Sequence, residues 1–171
     1  MSKTGIFYAF HTNKTAKLSE KIVEAFGKDN LEVINAEEVN EENFLKFDNY
    51  IIGVATWWDG ELPNYWDEFV PAIEEMDLSG KKFAIYGLGD QKGYPENFND
   101  GVGIFAEIIE SRGGQIVGFT STEGYEYESS RAERDKDQFC GLCIDQENQP
   151  RLTKGRVEKW VELLKKEFKN K

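Results

Sequence analysis

Ile6-Phe7-Tyr8-Ala9-Phe10-His11-Thr12-Asn13-Lys14-Thr15 starts as an apolar run and breaks into a polar turn. Beyond it, Leu18, Ile22, Ala25 and Phe26 recur on one face of a helical pattern. Strand from Lys3 to Ala9, short turn, helix from Thr12 to Phe26: this is the opening unit of an α/β fold. Such a turn aims backbone N–H groups and a helix N-terminus at one point, which suits an anion. Thr12 and Thr15 add hydroxyls there. Thr12 as a simple helix cap explains the same residues without any ligand.

The pattern repeats along the chain. Leu31 to Asn35 reads as a short, polar edge strand. Tyr50-Ile51-Ile52-Gly53-Val54-Ala55 and Phe83-Ala84-Ile85-Tyr86-Gly87-Leu88 are continuous apolar runs, as in parallel strands buried on both faces. Between them, a helix led by Pro63 buries Trp66, Phe69, Val70 and Ile73. Phe98, Val102, Phe105, Ala106 and Ile109 mark the next helix, which stops at Gly113-Gly114. Ile116 to Phe119 is a further strand, and Val157, Trp160, Val161, Leu164 and Phe168 line a final helix. Sustained alternation predicts a doubly wound parallel sheet with helices on both faces. Thr120 to Phe139 interrupts it with about twenty mostly polar residues, longer than a compact domain usually leaves irregular. It reads as an excursion from the last strand, either partner-facing or a plain insertion.

The chain has 171 residues, 39% hydrophobic and 13% aromatic, enough for one domain with a core that needs no metal or disulfide. A formal charge of −11 argues against nucleic acid and anionic membranes and favours basic protein partners. Neither a secretory apolar segment nor a run of membrane-spanning length is present, so a soluble cytoplasmic protein is expected. Cys140-Gly141-Leu142-Cys143 matches C-x-x-C, but in a strand these thiols point to opposite faces. They read as small core residues.

Ligands of open α/β sheets bind beyond strand carboxyl ends, where strand order reverses. Three loops meet that description: Phe10 to Thr15, Thr56-Trp57-Trp58-Asp59-Gly60-Glu61-Leu62, and Gly89-Asp90-Gln91-Lys92-Gly93-Tyr94-Pro95-Glu96-Asn97-Phe98. Aromatic rings outside the periodic core point to a flat ligand or a partner. A phosphate cradle beside two aromatic loops describes a site for a flat phosphorylated molecule.

These residues resemble those of a flavodoxin, of the long-chain type found in cyanobacteria and algae. The likeness rests on Thr56-Trp57…Gly60-Glu61-Leu62 and Gly87-x-Gly89-Asp90-Gln91-x-Gly93-Tyr94…Asn97-Phe98. Phe119…Glu123-Gly124-Tyr125 and Gly141-Leu142…Ile144-Asp145…Asn148-Gln149-Pro150…Leu152-Thr153 extend it over the whole chain. The resemblance implies a five-stranded parallel sheet in the order 2-1-3-4-5, its last strand split by the 120–139 insertion, and one non-covalent FMN. It implies phosphate at Phe10, His11, Thr12, Asn13, Lys14 and Thr15, and the flavin ring between Trp57 and Tyr94. Asp90 and the backbone around Gly89 and Asn97 would meet the pyrimidine edge, with Asp100 a weaker candidate. Thr56, Trp58, Asp59, Gly60 and Phe98 complete the expected site. The peptide joining Trp58 to Asp59 would reorient when the flavin is reduced.

Two departures stand out. The family's phosphate loop usually reads Thr-Gln-Thr-Gly-x-Thr. Here Phe10 supplies no hydroxyl and Asn13 replaces glycine. His11 is either a cation beside the phosphate or a packed neutral ring, the second being favoured; Lys14 is either a solvated side chain or a weak electrostatic aid. Asp59 stands where the family usually has an apolar residue. The resemblance implies a monomeric carrier of single electrons between protein partners such as photosystem I and ferredoxin–NADP reductase, not an enzyme. A quinone-reductase-like flavin oxidoreductase and a module without cofactor are the alternatives.

Overall fold

The computed structural model describes residues 3–57, 60–135 and 137–169. Five parallel strands form its centre: β1 (Thr4–Tyr8), β2 (Glu32–Asn35), β3 (Asn49–Gly53), β4 (Lys82–Leu88) and β5 (Gln115–Val117), in the order β2-β1-β3-β4-β5. β1 pairs with β2 and β3 in register Ile6↔Val33 and Ile6↔Ile51. The chain steps from β1 to β2 on one side and then crosses back past β1 to β3 on the other. Right-handed crossovers then put the connecting helices on opposite faces and open a crevice at the reversal.

Side chains alternate across the sheet as the apolar runs require. Ile6, Ile51, Ala84 and Val117 face α1 (Lys14–Phe26) and α6 (Thr153–Lys169). Phe7, Tyr50, Ile52, Phe83 and Ile85 face the layer holding Phe44, Trp66, Ile73 and Phe105. These belong to α2 (Glu41–Leu45), α3 (Asn64–Asp67), α4 (Val70–Ile73) and α5 (Asp100–Ser111). Aromatic stacking is dense there, with Tyr50 and Phe83 rings 4.3 Å apart at 16°.

The last strand is split as expected. β5 pairs with Lys82–Ala84, and β9 (Leu142–Ile144) with Tyr86–Leu88, both parallel to β4 on the edge away from β3. The intervening segment is not irregular. It holds β6 (Thr120–Ser121), β7 (Glu133–Arg134) and β8 (Gln138–Phe139) in a small antiparallel sheet. Strands of two residues leave no alternation to read in a sequence.

Three local expectations change. The helix led by Pro63 becomes two, with Pro63 as the cap of α3, because Pro71 has no N–H to continue the ladder. Val70 is half-buried rather than core. α5 starts at Asp100, not at Phe98, because Asn99 takes a left-handed backbone (φ 53°, ψ 35°). Cys140 and Cys143 do not point to opposite faces. A bend at Cys140–Gly141 brings both free, buried thiols into the same apolar layer. Burial pushes the Cys140 thiol up to about 11 and holds that of Cys143 well above the usual range.

Candidate functional site at the strand carboxyl ends

The loops after β3 and β4 enclose a cavity of about 520 Å³, lined by Thr56, Trp57, Leu88, Gly89, Asp90, Tyr94, Asn97 and Asn99. That volume lies in the range of small-molecule sites. Thus six of the expected residues converge. A groove of about 540 Å³ between α1 and α6 is lined by Lys21, Glu24, Val157, Glu158, Val161 and Lys165, among others. Its lining holds no aromatic ring and none of the buried unpartnered polar atoms found among the described residues, so the strand-end cavity is the stronger candidate.

Each wall is fixed by short polar contacts. Trp57 and Glu61 exchange backbone hydrogen bonds of 2.8 and 2.7 Å, closing a tight loop. Trp58 and Asp59, both expected in the site, lie outside the described residues. Gly60 sits at φ 91°, and a Cβ there would come within 2.6 Å of Asp100 Oδ2. Only glycine meets both conditions without strain. The Thr56 hydroxyl oxygen accepts from the Gly101 N–H at 2.9 Å, joining the end of β3 to the first turn of α5. Asp100 is buried and does not line the cavity. Its carboxylate accepts from Asn97 Nδ2 at 3.0 Å and from the Arg131 N–H at 2.8 Å, tying both loops to the insertion.

The loop after β4 is folded around two carboxylates. Asp90 Oδ1 accepts from the N–H groups of Gly93 (2.8 Å) and Lys92 (3.1 Å) and from Asn148 Nδ2 (2.8 Å). Those bonds, led by Gly93 and Asn148, hold its carboxyl below the usual range. Its charge therefore organises its own loop. Asp145, fully buried after β9, accepts from Gln91 N–H (3.0 Å) and Nε2 (2.8 Å), and from Asn148 N–H (2.9 Å) and Nδ2 (2.8 Å). Tyr94 is left 63% exposed, while Trp57 is half-buried with its ring edge-on to Tyr65 at 6.2 Å.

Phe98 does not line the cavity. Its ring is buried and stacks on Tyr127 at 5.3 Å and 22°, beside Tyr125 and Phe139. The two tyrosines of the insertion therefore pack inward. Backbone bonds from Glu128 and Ser129 to Pro95 O (2.8 and 3.0 Å) make the insertion a brace behind the third loop.

The turn after β1 stands apart from this cavity. Phe10 is 47% exposed, its ring 5.1 Å from Tyr8. His11 is not a packed ring: it is exposed and paired with Glu37. Lys14 is exposed too, and pairs with Glu147 on the loop that carries Asp145. Its charge also helps depress the Asp90 carboxyl, so the first and third loops share one field. Thr12 is not the helix cap. Its hydroxyl donates to Ala9 O at 2.7 Å, and Asn13 occupies the cap without a side-chain bond. With no capping side chain, the first-turn N–H groups of α1 keep their donor capacity. Thr15 is buried at the start of that helix.

Asn99 and Asp145 carry much of this geometry and are weakly legible. Asp145 follows an apolar run and precedes Asn148-Gln149-Pro150, which hints at a turn. Nothing around Asn99 distinguishes it from an ordinary helix cap.

Comparison with known proteins agrees with the architecture. Residues 6–160 match the model of the Flavodoxin family. The chain is 41% identical over 168 residues to Flavodoxin 1 of Escherichia coli (strain K12), covering 98% of this chain and 96% of that one. It is 44% identical over 169 residues to the flavodoxin of Picosynechococcus sp., covering 98% and 99%. The solved structure of Fusobacterium nucleatum flavodoxin bound to flavin mononucleotide superposes with a TM-score of 0.92 at 36% identity, over 99% of this chain and all of that one. Sheet order, split last strand and near full-length likeness agree: the chain belongs to the flavodoxin family.

Proposed function

We propose that the chain binds one FMN without a covalent bond and carries single electrons between protein partners in the cytoplasm, as a monomer. The observation that carries this reading is the strand-end cavity, with Trp57 and Tyr94 on separate loops and the polar groups of Thr56, Asp90, Asn97 and Asn99 lining it beside them. A flat, polar-edged ring needs that combination. The residues present fit the cofactor: an aromatic ring stands on each of two loops, and the Asn99 carboxamide is buried at the cavity without a partner.

Bound FMN would supply the electron-accepting ring. The chain's own residues supply the rest. Trp57 and Tyr94 hold the ring and limit its contact with water. Asp90, through the loop it folds, sets the backbone from Gly89 to Asn97 against the pyrimidine edge. First-turn N–H groups of α1, with Thr15 and Lys14, hold the phosphate. The departures in the first loop shift that task from hydroxyls to backbone donors and one cation.

Exposed carboxylates ring the cavity loops: Glu61, Glu96, Glu126 and Glu128. With the net charge of −11, they would steer basic partners toward the cavity. Ferredoxin–NADP reductase and photosystem I are partners of that kind. Two measurements on the purified protein test the function. A flavin spectrum that bleaches reversibly on reduction, without partner-free turnover of NADPH, is expected. Steady NADPH oxidation with a small quinone would identify an oxidoreductase instead, and a colourless protein that takes up no FMN would refute both.

A further inference from the structure

Trp57 lines the strand-end cavity from a loop whose backbone is closed by its two bonds with Glu61. Backbone closure fixes where the side chain starts, not the plane of its ring. The indole stays free to change rotamer unless something packs on it. Among the described residues, one aromatic ring does. Tyr65 of α3 lies 6.2 Å away, centroid to centroid, at 89°. Ring quadrupoles favour that perpendicular arrangement.

Tyr65 is itself held by its neighbour. Trp66 is wholly buried, and its Nε1–H donates at 3.0 Å to the carbonyl of Gly53, the last residue of β3. The N–H groups of Trp66 and Asp67 both donate to Pro63 O, at 3.1 and 2.9 Å, so the turn that presents Tyr65 is pinned at its start. The Tyr65 and Trp66 rings are 6.2 Å apart. Contacts thus run from the sheet through Trp66 and Tyr65 to the indole at the cavity. The Tyr65 hydroxyl makes none of them. It is closed to solvent and has no hydrogen-bond partner among the described residues, an unfavourable state that phenylalanine would avoid.

We propose that Tyr65 is the positioning residue for Trp57: its ring sets the plane of the indole before the flavin arrives, so that binding does not have to immobilise it. Tyr65 acts through Trp57 and does not itself line the cavity. This rests on the FMN reading above. The competing account is that Tyr65 only packs against the core, so that removing it weakens the fold and leaves the site unchanged.

Apo-protein of wild type, Tyr65→Leu, Tyr65→Phe and Trp57→Ala is compared by near-ultraviolet circular dichroism, thermal melting and FMN titration. The tryptophan band that Trp57→Ala removes from wild type should be weaker in Tyr65→Leu and intact in Tyr65→Phe. Tyr65→Leu should bind FMN about fivefold more weakly, the factor lost when one more side chain is immobilised on binding. Tyr65→Phe should restore the affinity and melt no lower than wild type. In a Trp57→Ala background, Tyr65→Leu should cause no further loss of affinity. Additive losses, an equal loss in Tyr65→Phe, or a lower melting point with band and affinity unchanged would each overturn the proposal. If wild type takes up no FMN, the carrier reading fails, and the circular-dichroism comparison still decides whether Tyr65 orients Trp57.

Discussion

Asp145→Ala should disorganise the cavity from a distance. The carboxylate is fully buried and accepts four hydrogen bonds of 2.8–3.0 Å from Gln91 and Asn148. A hydrogen bond to a charged group contributes about 1.5–3 kcal/mol, and leaving its donor buried and unpaired adds a penalty. The four bonds are not additive, and Asn148 is only half-buried and keeps its bond to Asp90. Gln91, at 5% exposure, keeps only the bond its Oε1 accepts from the Glu126 N–H and leaves both of its donors unpaired. A net loss of about 3–5 kcal/mol follows, in line with stripping one partner from a buried charged network. For a chain of this size that lowers the melting midpoint by roughly 10 °C. Urea denaturation of the apo-protein measures it. Asp145→Asn should fall between wild type and Asp145→Ala, since it keeps an acceptor but points N–H groups at other donors. Because Gln91 anchors the loop that carries Tyr94, the stabilisation conferred by saturating FMN should also shrink in Asp145→Ala. A loss under about 1 kcal/mol, the size of an ordinary surface substitution's effect, would refute the reasoning.

Tyr94→Ala should weaken FMN binding, because aromatic stacking contributes about 1 kcal/mol beyond the area it covers; equal affinity and equal quenching of flavin fluorescence would show that Tyr94 does not cover the ring. Thr15→Val and Lys14→Ala should reduce affinity for FMN more than for riboflavin if the first turn of α1 holds phosphate, and matched losses would place the phosphate elsewhere. Cys140 and Cys143 should react with a thiol reagent at pH 8 only after unfolding, since burial raises both thiols above that pH; fast modification of the native protein would contradict their burial. The depressed Asp90 carboxyl contributes stability that is fully present above its unfolded value near 4 and is lost as pH falls through its lower folded value. The difference in stability between wild type and Asp90→Asn should therefore shrink on acidification; a pH-independent difference would reject it.

The sheet was legible because β3 and β4 are uninterrupted apolar runs, and because apolar periodicity switches between strand and helix at recognisable turns. The three loops followed from where those strands stop. Polar braces that act across the fold were not legible. Asp100 and Asp145 join loops separated by 31 to 54 residues, and no local pattern records such pairing. The inward packing of Tyr125 and Tyr127 was hidden for the same reason, since polar composition around them reads as a free loop. Asn99 was missed because its buried side chain fits only where Gly87 and Gly89, on the preceding strand and loop, leave room for it. His11 was misread as packed because its partner, Glu37, lies 26 residues on, beyond the edge strand.

The central claim is that this cavity takes up FMN. Titrating FMN into the apo-protein while following flavin fluorescence tests it most directly, with riboflavin alongside. Quenching that saturates at one FMN per chain, weaker for riboflavin and weaker again for FMN in Tyr94→Ala, is the expected result. Flavin fluorescence that stays unquenched past stoichiometric protein would contradict it.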